Sequence, residues 1–412
     1  MKYLLIIGDG MADNPVPALS GQTPLERAHI PVADSLAARG RVGQVRTVPE
    51  GLPPGSDTAI LSIFGCDPRR CYTGRAPLEA AAAGLRLEPG DAAYRCNMVT
   101  LEDGDMPFAE KRILSHSAGS IDGDASMTLI RDLFAAPTFR EAAEAAGLSV
   151  LPSPSFRHIA MQKEASLTGL VLSPPHDHLG EQIGGILPTG CENAEVLRAL
   201  MEAAHGYLDK HPVNVRRRRD GLLPANAVWF WAEGTAVRLP NFKETFGKTG
   251  GVISAVPLCH GIAALTGLEV VYVEGATGEL DTNYEGKAEA AVQLLARGAD
   301  FAAVHVEAPD ECTHNGDLPG KLQAIEWLDS RVLAPLQRGL DAAGLGPYRL
   351  LLLSDHKTLT ETRGHDGDPV PYLLYDSRRD TKSGASYCEA DGARGSLLSD
   401  GTKLMEMLFQ DE

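Results

Sequence analysis

Short apolar runs that end abruptly in polar or glycine residues punctuate the chain. Residues 3–7 run into Gly8-Asp9-Gly10, Phe301–Val306 runs into Glu307 and Asp310, and Tyr348–Leu353 runs into Ser354-Asp355-His356. Runs of this length without polar alternation predict strands buried on both faces of a parallel sheet. Between them, Tyr284–Ala296 and residues 321–340 carry alanine and leucine at helical spacing. The alternation predicts an α/β architecture, with a mostly parallel sheet flanked by helices. The middle of the chain reads differently. From about residue 72 to 239, proline and glycine interrupt short β-like pieces such as 170–172 and 228–231. One helical stretch, 140–146, stops at Gly147. The expectation is a core made of residues 1–72 and 240–412, carrying an inserted α+β domain at 73–239.

Composition narrows the function classes. The chain has 412 residues, with 38 Lys+Arg against 55 Asp+Glu, a formal net charge of −17. Such an acidic balance argues against a general nucleic-acid or membrane-surface partner. The apolar start is too short for a secretory leader and Asp9 interrupts it. Seven scattered cysteines with no CxxC pair suit reduced thiols, so a cytoplasmic location is expected.

The carboxyl ends of parallel strands are where open α/β sheets bind ligands. Asp9 follows the first run, Asp310 and His314 the second, and Asp355-His356 the third, with His365 soon after. Any one of these alone reads as a helix cap or a solvated loop residue. Together they place three carboxylates and three imidazoles in expected strand-end loops at one sheet edge, a mixture that suits Zn²⁺ or Mn²⁺ and often a pair of ions. Ser56, in Gly55-Ser56-Asp57-Thr58, precedes an apolar helical stretch. It reads as a helix N-cap, or as a nucleophile whose hydroxyl a divalent ion could activate. Two basic features stand out: Arg157-His158, and the run Arg216, Arg217, Arg218 and Arg219. The run is either a solvated face or a source of bidentate anion clamps. The phosphate-loop pattern G-x-x-x-x-G-K-[ST], the dinucleotide pattern G-x-G-x-x-G after the first strand and the G-x-S-x-G elbow are all missing.

Several longer stretches occur in order along nearly the whole chain: residues 8–13 (GDGMAD), 55–59 (GSDTA), 72–80 (YTGRAPLEA), Arg95-Cys96-Asn97, Phe156-Arg157-His158, Pro224-Ala225-Asn226, and 275–278 (GATG) with 281–284 (DTNY). With the Asp/His set, they make the chain resemble the cofactor-independent phosphoglycerate mutases, in the shorter archaeal-type branch of the alkaline phosphatase superfamily. The resemblance implies an alkaline-phosphatase-like core with an inserted substrate-binding domain. It also implies two divalent metal ions (Mn²⁺ first, with Zn²⁺, Mg²⁺ or Co²⁺ as alternatives) and neither 2,3-bisphosphoglycerate nor a nucleotide. The implied reaction interconverts 3-phosphoglycerate and 2-phosphoglycerate through a phosphoserine on Ser56. Asp9, Ser56, Asp355 and His356 would hold one ion, and Asp310, His314 and His365 the other. Arg75, Arg95, Arg157, His158 and Lys248 would bind a small phosphorylated carboxylate, with part of the 216–219 run behind them. Self-association stays open. Three segments depart from the family pattern. Ser115-His116-Ser117-Ala118-Gly119-Ser120 stands for Asp-Tyr-Ser-Ala-Gly-His, Cys312-Thr313 for Ala-Gly, and Ala232-Glu233 for Gly-Gln. These keep a rival reading open, a metal-dependent phosphatase or a phosphotransferase acting on another small molecule such as homoserine.

Overall fold

The computed structural model describes residues 1–121 and 123–410. The chain divides into two compact units, Met1–Tyr72 with Arg238–Glu412, and Thr73–Val237.

The first unit is built on an eight-stranded sheet. Its strands in chain order are β1 (Lys2–Gly8), β2 (Arg41–Val45), β3 (Gly250–Ile253), β4 (Glu269–Val271), β5 (Phe301–Val306), β6 (Tyr348–Leu353), β7 (Val370–Asp376) and β8 (Leu397–Leu398). Their spatial order is β8-β2-β7-β6-β1-β5-β3-β4. β1 lies at the centre, parallel to both β5 and β6. β7 runs against its neighbours β6 and β2, and the other pairings are parallel. The fold is therefore mixed α/β with a largely parallel central sheet. The continuous apolar runs have the expected cause, since every residue of β5 and β6 is buried. At the amino edge of the sheet, Phe301, Phe242, Phe409 and Tyr3 form an aromatic cluster. Phe242 stacks on Phe301 at 5.1 Å and Tyr3 meets Phe409 edge-on at 5.0 Å. Among the described residues no helix is long and apolar enough to cross a membrane.

Two helical expectations in this unit come out differently in detail. Tyr284–Ala296 is one helix. The stretch expected at 321–340 is instead Leu318–Trp327 and Ala334–Ala342, joined by a wide turn, Leu328–Leu333. Pro335 explains the join, because it has no N–H to give the carbonyl one turn back and its ring crowds that position.

The second unit is α+β. A ten-residue strand, Ala92–Leu101, lies between Arg157–Gln162 and Ala227–Thr235, antiparallel to both. Leu148–Leu151 and Ile113–Ser115 extend the sheet. The helices Gly123–Ala135, Pro137–Ala145 and Glu192–Leu208 contribute Leu129, Phe139, Leu197 and Met201 to one buried core with Tyr94, Trp229 and Phe230. The expected β-like piece at 170–172 is not a strand. It makes one isolated pairing, Val171 with Thr189, and Pro174-Pro175 follow at once without backbone donors.

The pairing of Ala92–Leu101 with Ala227–Thr235 shifts register between Ala93 and Arg95. Opposite that irregularity Ala232 takes a left-handed conformation, φ 53°. A Cβ there costs about 1 kcal/mol that glycine avoids. Ala232→Gly is expected to stabilise the protein by up to about 1 kcal/mol, read as a higher urea midpoint at unchanged slope.

Candidate metal centre and anion patch

The parallel strands deliver their carboxyl ends to one edge, and the polar residues predicted for that edge collect there. Asp9 follows β1, and its amide N–H donates to the Val306 carbonyl of β5 at 2.9 Å. Asp355-His356 follow β6. Asp310 and His314 differ from expectation: they sit on a helix, α2 (Ala308–His314), rather than in a loop. The D-x-x-x-H spacing is one helical turn, so both side chains share a face. His365 belongs to a two-residue pairing in which His365-Asp366 lie against Lys357-Thr358.

These residues form two groups. In the first, His356 Nε2 lies 3.5 Å from Asp9 Oδ1, 3.4 Å from Asp355 Oδ2 and 3.1 Å from Ser56 Oγ. Ser56 Oγ is also 3.3 Å from Asp9 Oδ2. In the second, His314 Nε2 lies 3.1 Å from Asp310 Oδ2 and 2.9 Å from His365 Nε2, and His365 Nε2 is 3.5 Å from Asp310 Oδ1. Donor atoms bonded at roughly 2.0–2.2 Å around a tetrahedral centre stand about 3.3–3.5 Å apart, so both groups fit a divalent ion. The buried Asp355 Oδ2 has no hydrogen-bond partner among the described residues, an orphaned anionic oxygen that a cation would satisfy. Ring orientations agree. His314 Nδ1 is 2.7 Å from the Arg363 carbonyl and His356 Nδ1 is 3.2 Å from the Lys357 carbonyl, which turns each Nε2 toward its group.

Ser56 is the first residue of the helix α1 (Ser56–Ile63), with Gly55 as its cap. Its hydroxyl points at Asp9 and His356 and caps nothing, so the N-cap reading fails here. Gly10 is required as glycine. Its φ is +58°, and a Cβ would meet Thr358 Oγ1 and Asp310 Oδ1. Its amide N–H instead donates to Asp355 Oδ1 at 3.1 Å.

Burial and the neighbouring carboxylates Asp355 and Asp310 push the Asp9 carboxyl well above its ordinary range. Burial alone would raise Asp310 too, but hydrogen bonds from His314 and His365 hold it far below. His314 rises to about 9 chiefly because it bonds Asp310. Burial pushes the Cys66 and Cys259 thiols up to about 12, which makes them poor nucleophiles.

The sequence reading missed several supporting side chains. His305 stands in the middle of β5, its Nε2 2.9 Å from Asp9 Oδ2. Lys287, fully buried, donates to the His305 carbonyl at 3.1 Å. Lys321, also fully buried, donates to Asp13 at 2.9 Å and to the Thr358 carbonyl at 2.6 Å, anchoring the segment between His356 and His365. Each had a signal: one polar residue inside an otherwise apolar run or helix face.

Three of the expected anion-binding residues collect in the second unit. Arg95 donates to Glu79 through both Nε and Nη2, and Arg75 Nε is 3.4 Å from the same carboxylate. Arg157 stacks on Phe156 at 5.2 Å and on Trp231 at 5.8 Å, and its buried Nε has no hydrogen-bond partner among the described residues. Burial, with Arg95 beside it, lowers Arg157 to about 10. Three guanidiniums around one carboxylate leave a surplus of positive charge in an acidic chain.

The other expected binders are not brought there. His158 is fully buried, accepting the Ser153 amide at Nδ1 (3.0 Å) and meeting Ser126 Oγ with Nε2 (3.2 Å). It is part of the scaffold because its inward strand position faces the core. Lys248 precedes β3 and lies 5.1 Å over the Tyr3 ring, at the amino edge of the sheet. Asp9 is at the carboxyl edge, about 20 Å along β1. Within the arginine run, Arg217 bonds the Leu223 and Ala118 carbonyls, Arg218 bonds Asp103 and Asp209, and Arg219 bonds Asp220. These residues close the carboxyl end of the helix Pro212–Arg219, where positive charge complements the helix dipole.

Residues 37–214 match the family model described as 2,3-bisphosphoglycerate-independent phosphoglycerate mutase. A protein of that name from Methanosarcina acetivorans is 42% identical over the full length of both chains. The chain belongs to the 2,3-bisphosphoglycerate-independent phosphoglycerate mutase family. A "probable" mutase of this family from Geobacter sulfurreducens is also 42% identical, over 99% of this chain and all of that one. The solved structure of a cofactor-independent phosphoglycerate mutase from Thermoplasma acidophilum is similar with a TM-score of 0.64 at 27% identity, covering 100% of this chain and 99% of that one.

Two outcomes follow for the residues that fall outside the two groups. Burial lowers His158 from 6.5 to about 4. The neutral ring therefore contributes stability above pH 6.5 that is lost as pH falls toward 4, up to about 3 kcal/mol. Stability of His158→Gln, measured by urea unfolding across that window, is expected to fall less steeply than that of the parent. Lys248→Met is expected to leave kcat/KM within about twofold of the parent, whereas loss of a phosphate-binding lysine would cost far more.

Proposed function

We propose that this chain interconverts 3-phosphoglycerate and 2-phosphoglycerate through a phosphoserine on Ser56, with Mn²⁺ in both groups. The observation that supports this most directly is the position of Ser56. It lies at the first turn of α1, with Oγ within 3.5 Å of Asp9 and His356. Two divalent ions, held by Asp9, Ser56, Asp355 and His356 and by Asp310, His314 and His365, would lower the pKa of the Ser56 hydroxyl and neutralise charge on the transferring group. Ser56 Oγ attacks the phosphorus of the bound ester, forming the Oγ–P bond as the ester P–O bond breaks. The freed glycerate oxygen takes up the proton that Ser56 Oγ gives up. Backbone N–H groups at the start of α1 face the anionic phosphoryl group. Arg157, Arg75 and Arg95 bind the anionic groups of the substrate. The sequence ends when the other glycerate hydroxyl attacks the phosphoserine, giving up its proton and releasing Oγ. No free phosphate and no bisphosphoglycerate enter the balance. We also place this activity in the cytoplasm.

Incubation with 3-phosphoglycerate and Mn²⁺ is expected to yield 2-phosphoglycerate, to stop with chelator and to resume when Mn²⁺ is restored. Release of inorganic phosphate in its place would make the protein a phosphatase. Ser56→Ala is expected to lose more than about 10³-fold in kcat while keeping its fold by circular dichroism; retained turnover would remove Ser56 from the chemistry.

A further inference from the structure

His305 is set in the middle of the sheet, and its surroundings leave it little freedom. β1 and β5 pair so that His305 stands opposite Ile7, two residues before Asp9. The His305 carbonyl receives the buried Lys287 ammonium at 3.1 Å, and its side chain is 2% exposed. Nδ1 lies 3.1 Å from Ser254 Oγ. That hydroxyl also accepts the Val256 amide N–H at 3.0 Å, and since His305 Nε2 faces the Asp9 carboxylate, Nδ1 is the acceptor for the Ser254 proton. An imidazole that accepts at Nδ1 carries its proton on Nε2. This N–H points at Asp9 Oδ2, 2.9 Å away, while Asp9 Oδ1 faces His356 Nε2 at 3.5 Å and Ser56 Oγ lies 3.3 Å from Oδ2 and 3.5 Å from Oδ1.

We propose that Ser254 and His305 are positioning residues for Asp9: the hydroxyl sets the ring tautomer, and the ring N–H donates to Oδ2 and so holds the carboxylate in one orientation toward the group shared with Ser56 and His356. The inference rests on the reading of that group as a cation site. A carboxylate with one oxygen tied to a fixed donor meets an ion in one orientation. An uncapped carboxylate must lose its rotational freedom on binding. Such outer partners are typically worth about 10–100-fold in metal affinity.

The test is a titration of chelator-stripped protein with Mn²⁺, following free Mn²⁺ by electron paramagnetic resonance, with the melting temperature of the metal-free proteins as the fold control. His305→Leu is expected to weaken Mn²⁺ binding at one of the two sites by about 10–100-fold. His305→Gln, which keeps an N–H donor near the Nε2 position, is expected to recover most of that loss. Ser254→Ala, which leaves the ring in place but releases its tautomer, is expected to weaken binding by about 3–10-fold. Asp9→Asn serves as reference. Parent affinity in His305→Leu alongside weakened Asp9→Asn would overturn the positioning role and leave the cation site standing. Parent affinity in Asp9→Asn would overturn the site itself. Equal losses in His305→Gln and His305→Leu would show that the N–H is not what matters. Should His305→Leu fail to fold, unchanged affinity in Ser254→Ala overturns the proposal.

Discussion

Three carboxylates, Asp9, Asp310 and Asp355, are buried at one edge of a sheet whose strands carry almost nothing polar. Their mutual repulsion in a low-dielectric setting is the constraint to which the surrounding residues answer. Imidazoles of His314, His356 and His365 stand between them. The Thr358 hydroxyl donates to Asp310 and the Gly10 amide to Asp355. The charges are unevenly settled, since Asp310 is well satisfied by hydrogen bonds while Asp9 is driven toward its protonated form and one oxygen of Asp355 has no hydrogen-bond partner among the described residues. A set of anions that the protein compensates only in part is the electrostatic description of a cation site.

The net charge of −17 therefore says little about either site. One gathers three buried carboxylates and collects negative charge. In the other unit, Arg75, Arg95 and Arg157 outnumber Glu79 and collect positive charge. Net composition averages over two local fields of opposite sign.

Much of the core was legible because parallel strands announce themselves by unbroken apolar runs, and because polar residues gather at one edge where such runs stop. Asp9, Asp310, His314, Asp355, His356 and His365 were all found by that rule, although the rule says loop where α2 places Asp310 and His314 on a helix. Lys248 and His158 show its limits. Basic residues carry no periodic mark of which sheet edge or strand face they occupy; Lys248 lies at the amino edge and His158 inside the core. The arginines at 216–219 read either as a solvated face or as anion clamps, and Arg217, Arg218 and Arg219 bond groups around the end of their helix. His305 and Lys287 lay hidden within apolar patterns that were read as core, even though a lone polar residue in such a run needs a buried partner.

The central strand also carries a consequence for how the protein is made. β1 finds its two neighbours in Phe301–Val306 and Tyr348–Leu353, some three hundred residues later in the chain. During synthesis its apolar side chains emerge long before those neighbours and wait through the whole of Thr73–Val237, a unit whose strands pair with one another and whose two ends are joined where Thr73 Oγ1 meets the Thr235 carbonyl at 2.7 Å. The inserted unit can thus be complete on the ribosome before the sheet that precedes it in sequence has a second strand parallel to β1. Nascent chains of this topology expose a sticky amino-terminal strand for the time needed to translate two-thirds of the protein. The order of assembly is the reverse of the order in which the residues appear.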